Sequence, residues 1–295
     1  MAQPAAKLLT GFFVVAALLV VAALVVTRNQ LPSAGPPLPK PNGYDDLVQA
    51  GRMVADNTSD FSKMSEGDLR ALMMKNSEAL KLARTGLTHV CQVPLDFSAP
   101  NLTYFTNLAV VKRLAQAVTA QGRLAELENR PADAAEAYLT VIRMGCAIGR
   151  GGLLIDSLVS IAVEAMGVVN MERLAPKLDA KQCREAAAAL ESSEGQREPA
   201  QNVLSRERIW ARRAYGLKGQ ISRIVNFNSI RQTEKGVVSR LTAQQTREQV
   251  LLIQLASRAY EQEKGERPKT LGILVPVYLK TIPQNPVTGT NMAYP

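Results

Sequence analysis

The sequence is poor in aromatic residues, in histidine and in cysteine. Aromatic residues make up 5% of its 295 residues, there is a single histidine, and the three cysteines are Cys91, Cys146 and Cys183. An odd number of widely spaced cysteines argues against a disulfide framework and a Cys-x-x-Cys site, so we interpret them as buried helix cysteines. Alternating β-branched runs are also scarce, whereas Ala, Leu, Gln, Glu and Arg are common. The composition predicts a mainly α fold.

A recognisable catalytic motif is missing as well. His89 and Cys91 stand two residues apart, but a zinc site takes three or four protein ligands. The glycine-rich turn Gly149 to Gly152 lacks the Lys-Ser/Thr pair of a phosphate-binding P-loop. Metalloprotease, serine-elbow and kinase motifs are not found. We therefore predict no catalytic residue, cofactor or metal site. The alternative is an enzyme or small-ligand-binding protein with an unrecognised site in the helical body, around His89 and Glu164.

Charge is absent from one long stretch near the N-terminus. Leu8 to Val26 is 19 residues long, and 13 of them are Leu, Phe or Val. At about 1.5 Å per residue, such a helix spans roughly 28 Å, the thickness of a bilayer core. A cleaved signal peptide would have a shorter apolar region and a small-x-small cleavage site. The sequence predicts a retained transmembrane helix over residues 8–27, preceded by a leader over 1–7.

The rest of the chain divides into a spacer, a body and a tail. Residues 28–42 are rich in proline, which favours an extended linker. A helical body is predicted over 43–264 and a Pro/Gly-rich tail over 265–295. A short N-terminal leader is typical of a signal anchor. We therefore expect a single-pass protein of the inner (cytoplasmic) membrane, with its body on the extracytoplasmic side.

Helical periodicity in the body is clearest over residues 106–174. Val111, Leu114, Ala115 and Val118 recur on one face of a helix, and Pro131 is suited to the first turn of the next. Two helices joined by so short a break form an antiparallel hairpin. Further along, Asp179 is a plausible N-cap, and a long helix is predicted from Gln244 to Glu263, ended by Gly265.

The hairpin resembles a single degenerate tetratricopeptide unit. Gly122, Ala134 and Tyr138 fall at the spacing of the small, small and aromatic positions of that repeat. The usual tryptophan, leucine and closing proline are replaced by Val118, Gln121 and Cys146. A stacked array needs about three units, and no second copy is found. A generic helical hairpin that packs small residues against large ones is the alternative interpretation.

The tail carries a second resemblance. It contains a Gly-x-basic-Pro turn, a Leu-x-x-Leu-Val-Pro-x-Tyr-Leu segment and a Pro-x-x-Pro-x-Thr-Gly turn, beginning at Gly265, Leu271 and Pro283. In these motifs it resembles the ends of uncharacterised bacterial membrane-anchored proteins and, more remotely, of type II secretion pseudopilins. Asn285 stands where those tails usually have Asp, so a calcium site is not carried over. We expect the tail to fold back onto the body through its apolar residues.

Positive charge is concentrated in one segment. Eleven of the chain's lysines and arginines lie between Arg197 and Arg247, against three glutamates. Aromatic residues are interleaved with the arginines there, which suits a membrane surface or an anionic polymer. We expect a membrane surface or an acidic partner, and nucleic acid is the least favoured ligand. The alternative is a helix whose aromatic residues pack on the core while its arginines are solvated. The predicted interaction surface consists of Arg206, Arg208, Trp210, Arg212, Arg213 and Tyr215. The function expected is that of a membrane-anchored, non-catalytic scaffold with a protein partner.

Overall fold

The computed structural model describes residues 37–55, 61–97 and 103–293. The predicted transmembrane helix over 8–27, with the leader and most of the linker, lies outside these residues. Within them the chain forms nine α-helices and no extended strand, so the prediction of a mainly α fold is confirmed. The helices are α1 (Gly43–Met53), α2 (Glu66–Lys75), α3 (Ser77–Gly86), α4 (Thr103–Leu127), α5 (Pro131–Gly149), α6 (Leu154–Leu174), α7 (Ala180–Glu194), α8 (Ala200–Val225) and α9 (Phe227–Lys264).

The predicted hairpin is formed by α4 and α5. Pro131 occupies the first turn of α5, where its missing N–H costs no helical hydrogen bond. Tyr138 and Ala134 are both fully buried, as predicted. Gly122 packs against the Tyr138 ring so closely that an added Cβ would lie 2.4 Å from its Cε1 atom. The small-against-aromatic contact expected from the sequence is therefore present.

Two apolar clusters make up most of the core, and α5 contributes to both. One joins α5, α6, α7 and α9 to the tail, and the other joins α1, α3, α4 and α5. Asp179 caps α7 as predicted, since its carboxylate accepts a hydrogen bond from the Gln182 N–H at 2.8 Å. Cys183 is a buried helix residue, but Cys91 lies in the loop after α3, where the prediction of a helix cysteine is wrong.

One stretch of the described residues, Leu154–Lys177, is long and apolar enough to cross a membrane by length and composition. It contains α6. Asp156 and Glu164 are both fully buried on this helix, and 44% of its most apolar window is buried in the body. Because a core helix passes the same test, we describe α6 as part of the body.

Helix α9 is longer than the sequence predicted. It begins at Phe227 instead of Gln244, so most of the basic segment is helical. The added turns are mostly exposed, but Glu234 and Val237 are buried against α8. Gly265 ends the helix as predicted, because it adopts a left-handed φ of 76° and its N–H donates to the Glu261 carbonyl.

The tail packs onto the body, as the sequence predicted. Leu271, Leu274, Tyr278 and Leu279 are buried against α7 and α9. Val277, another apolar residue of this segment, is exposed, so the expectation that the tail packs through its apolar residues does not hold at this position. Beyond this segment the chain turns back and forms one isolated bridge, between Gln284 and Asn291. The turn is held by the side-chain oxygen of Asn285, which accepts from the N–H groups of Val287 and Thr288. An amide serves this turn as well as a carboxylate would.

Candidate functional site

The predicted interaction surface lies on α8, and its members have different roles. Arg206 forms an ion pair with Glu198 and donates to the Gly152 carbonyl at 2.6 Å. Arg208 pairs with the buried Glu234 of α9, with its Nη2 atom 2.7 Å from Oε2. These two arginines therefore join α8 to the neighbouring elements, and their charges are largely matched by carboxylates of the same chain.

The aromatic members of that surface form a separate group nearer the end of α8. Trp210 donates from Nε1 to the Asp96 carbonyl at 2.9 Å. The ring of Tyr215 meets that of Trp210 edge to face, with centroids 5.5 Å apart. Arg212 is exposed and Arg213 is half-buried. Trp210 thus fixes α8 to the 91–97 loop, while Tyr215 and Arg212 face solvent.

An open groove lies between α8, α9 and the tail. Its volume is about 760 Å³, and it is lined on α8 by Gln201, Leu204 and Arg208, on α9 by residues between Arg231 and Thr246, and at one end by Pro286 and Val287. Leu204 and Val238 supply apolar surface, while Arg231 and Lys235 are exposed. With Arg208 paired to Glu234, two exposed cations remain on the rim. The groove therefore combines an apolar floor with a positive rim.

The most enclosed group of charges lies elsewhere, around Arg197 in the connection between α7 and α8. The Arg197 guanidinium lies 2.8 Å from a Glu164 oxygen and 2.6 Å from a Glu248 oxygen. The side chains are 9%, 0% and 10% exposed, respectively. Ser160 donates to Glu164, and Gln244 donates to Glu248. These residues, with Cys146 at 3.6 Å from Nη2, are called the Arg197 cluster below.

One guanidinium faces two carboxylates in this cluster, so its charges do not cancel. Burial and the neighbouring Glu164 carboxylate raise the pKa of Glu248 to about 7. Burial disfavours the Arg197 charge, but Glu164, Cys146 and Glu248 outweigh it and raise the pKa of the guanidinium. Burial also raises the pKa of the Cys146 thiol well above its usual value. A protonated, buried thiol is a poor nucleophile, so the cluster has the chemistry of a structural ion network.

The alternative enzyme site around His89 and Glu164 is not assembled. His89 bonds through Nδ1 to Asp46 of α1 at 2.9 Å, while Glu164 is fully buried in the Arg197 cluster. Neither this groove nor the smaller cavity beside Leu80 and Thr140 is lined by His89 or by a member of the cluster. Among the residues that the structure describes, no group of three His, Cys, Asp or Glu side chains is arranged to hold a metal ion.

The glycine-rich turn before α6 is filled by carboxylates from the same chain. Glu198 accepts from the Gly151 N–H at 3.0 Å, and Glu207 accepts from the Leu154 N–H at 3.0 Å. Asp156 accepts from the Leu153 N–H at 2.6 Å, and burial raises the pKa of this carboxyl group to about 7. The N–H donors that would bind a phosphate at a helix N-terminus are therefore bonded to carboxylates of the same chain. This favours interpreting Gly149 to Gly152 as a helix–helix turn and not as a phosphate-binding loop.

Comparison of the chain with protein families, with curated proteins and with solved structures gives no match. The groove and the exposed end of α8 are surface features of the described residues. The groove was missed from the sequence because its walls come from residues up to 86 positions apart, Gln201 and Val287. Its only sequence signal was the basic segment itself.

Proposed function

We propose that the chain is a membrane-anchored, non-catalytic scaffold whose α8–α9 groove receives an acidic helical segment of a partner protein. The observation that carries this proposal is the open groove with its apolar floor and positive rim. A helix laid between two helices buries its apolar stripe in such a groove, and acidic residues along its edges would face Arg231 and Lys235.

Anchoring is proposed for the segment over 8–27, which would hold the body at the inner membrane on its extracytoplasmic side. Its support is the length of the uncharged run, since 13 Leu, Phe and Val residues together favour insertion by about 4–8 kcal/mol. Extraction of cell membranes with carbonate tests it. Full-length protein released into the soluble fraction would contradict anchoring, and a protease-protected body in intact cells with a permeabilised outer layer would contradict the assigned side.

Site-specific photocrosslinking in the native membrane tests the groove. A benzoylphenylalanine at Val238, inside the groove, should crosslink to an acidic helical segment identified by mass spectrometry. The matched control carries the same group at Ile273, an exposed apolar residue that does not line the groove. Arg231→Glu with Lys235→Glu should abolish the crosslink, since the rim would then repel acidic side chains.

Two results would contradict the groove proposal. Crosslinks of equal yield and identity at Val238 and Ile273 would show general proximity instead of binding. A crosslinked segment that is basic, or a yield unaffected by charge reversal of the rim, would show that the positive rim does not select the partner.

A further inference from the structure

The end of the α8–α9 hairpin is an elbow over residues 215–227. Helical geometry in α8 is interrupted at Gly216, which has φ 56° and ψ −146°. Positive φ is strained for residues with a Cβ atom, so glycine suits this position. The short connection at Asn226 then leads into α9. The break and the turn together redirect the chain twice within this short stretch.

Large apolar side chains are exposed along the elbow. Tyr215, Ile221, Val225 and Phe227 are 50%, 57%, 76% and 59% exposed. A single exposed apolar residue needs no explanation, but grouped ones mark surfaces that contact another molecule. Val225 and Phe227 flank the helix-to-helix turn, where no other described element covers them. The elbow is thus an apolar tip on a hairpin that extends from the core.

The charge around this tip has one sign. Residues 212–231 contain five basic residues and no acidic residue. Of these, Arg212 and Arg231 are exposed on either side of the turn. Basic residues around exposed apolar side chains are the composition of segments that lie at the surface of anionic membranes.

The part of α8 just before the elbow lies close to the point where the chain enters the body. The Asn42 side chain exchanges two hydrogen bonds with the backbone of Gln92, and Asp96 accepts from Trp210. Gln92 and Asp96 are four positions apart, at most about 14 Å of chain. Asn42 follows the proposed transmembrane helix by 15 residues, so a bilayer holding that helix lies within about 55 Å of Asn42.

We infer that the elbow rests on an anionic lipid surface, with its apolar side chains at the headgroup level and its basic residues against lipid phosphates. The inference rests on the proposed membrane anchor and adds a second contact to it. Tethering keeps the elbow at a high local concentration of lipid. The hairpin would then fix the orientation of the body relative to the bilayer and leave the part of the groove around Thr242 and Thr246 open to a partner.

The test uses the full-length chain in nanodiscs and tryptophan quenching by lipids brominated on their acyl chains. Trp210 is the only tryptophan and is kept because it holds α8 to the 91–97 loop, so the quenching that Val225→Trp adds to the signal of the unaltered chain reports on the elbow. Met74→Trp on α2 is the matched control, because Met74 is 71% exposed and has both acidic and basic neighbours along its helix. Discs contain phosphatidylcholine alone, or phosphatidylcholine with one third phosphatidylglycerol.

The expected result is a loss of fluorescence at position 225 in the anionic discs, with little loss at position 74. Each basic residue near an anionic surface contributes roughly fivefold to binding. Arg212→Gln with Arg223→Gln should therefore lower the quenched fraction, and so should about 1 M salt, which shortens the screening length to about 3 Å. Restoration of the fluorescence by both changes would support the lipid contact.

Other outcomes overturn the inference. Protein that elutes with the discs but shows no quenching at position 225 refutes the elbow contact and leaves the anchor intact. Equal quenching at positions 225 and 74, or a response at 225 to double-stranded DNA and not to anionic lipid, refutes it too. Protein that does not elute with the discs refutes the anchor. The same variants are then mixed with anionic vesicles. Quenching at position 225 by the vesicles still supports the elbow contact, and no quenching there refutes that contact.

Discussion

Replacement of Arg197 by Met removes the single cation of the Arg197 cluster and keeps a side chain of similar length. Glu164 and Glu248 would then be two buried carboxylates, 0% and 10% exposed, without an opposing charge. Removal of one partner from a buried ion pair costs about 3–5 kcal/mol, because the remaining charge is left uncompensated. We expect Arg197→Met to lower the free energy of unfolding by an amount in that range.

Thermal unfolding of the full-length chain in mild detergent, followed by circular dichroism, measures this change. For a body of this size, about 3–5 kcal/mol corresponds to a fall in Tm of roughly 6–20 °C. Arg70→Ala is the matched control, since Arg70 also pairs with two glutamates, Glu66 and Glu128, but is 55% exposed. Solvent screens an exposed pair of this kind, which therefore contributes little to stability, so the control should change Tm by no more than a few degrees.

The dependence on pH separates an electrostatic effect from a loss of packing. In the native state the pKa of Glu248 is raised to about 7, above the usual value of about 4.3 for a glutamate in an unfolded chain. The folded state therefore binds more protons between these values, and this contribution to stability is lost as pH rises through about 7. Glu248→Gln should flatten that decline.

Arg197→Met should be most harmful where the Glu248 carboxylate is ionised. The difference in stability between this variant and the unaltered chain should narrow as pH falls from about 8 to about 5, because a protonated Glu248 carboxyl group needs no cation. Arg197→Met combined with Glu248→Gln should cost less than Arg197→Met alone. A loss below about 1 kcal/mol, or a difference that is constant over this pH range, would refute the assignment of the cluster as an uncancelled ion network.

Glycines in two helices provide a pair of opposite predictions. Gly122→Ala places a Cβ 2.4 Å from the buried Tyr138 ring and should destabilise the chain by about 1–3 kcal/mol. In α9, the Cβ of Gly236→Ala has no atom within 4 Å, so this substitution should stabilise the chain by about 0.4–1 kcal/mol. Equal changes in the free energy of unfolding, measured by urea denaturation, would contradict the packing of Gly122 against Tyr138. Tyr138→Ala should cost about 3–5 kcal/mol, measured in the same way, and a loss below about 1 kcal/mol would place the ring outside the core. Deletion of residues 268–295 should lower Tm because it exposes the apolar face that Leu274 and Tyr278 cover, and an unchanged Tm would mean that the tail adds no stability.

Local signals in the sequence were sufficient for much of the fold. The hairpin followed from helical spacing and from Pro131, and the start of α7 followed from Asp179, because each depends on residues within a few positions of one another. The packing of the tail onto the body was predicted because the tail contains many large apolar side chains, whose exposure to water would be unfavourable. The extent of α9 was not predicted, since its first turns have a polar surface and are tied to α8 by Arg208 and Glu234, 26 residues apart.

The candidate sites depend on contacts that a sequence does not display. Arg197 lies 33 residues from Glu164 and 51 residues from Glu248, and neither glutamate is distinguished by its neighbours in the chain. The same holds for Glu198 and Glu207, whose carboxylates fill the glycine-rich turn. Sequence spacing identifies charged residues but not their partners. The position of the basic segment could therefore be predicted, but not which of its residues form ion pairs and which are exposed.

The distinction between paired and exposed basic residues shows where the excess positive charge of the chain lies. Of the eleven basic residues between Arg197 and Arg247, four form ion pairs with glutamates in the structure: Arg197, Arg206, Arg208 and Arg247. Of the other seven, which lie between residues 212 and 240, Arg212, Arg231, Lys235 and Arg240 are exposed. Because paired charges contribute little field beyond their partners, the excess positive potential is centred on the hairpin, at the elbow and along the groove. A lipid surface and an acidic helix would both be attracted to this hairpin. The groove lining on α9 begins at Arg231, next to the elbow, and continues for about 22 Å to Thr246, so the two contacts would lie side by side on one helix.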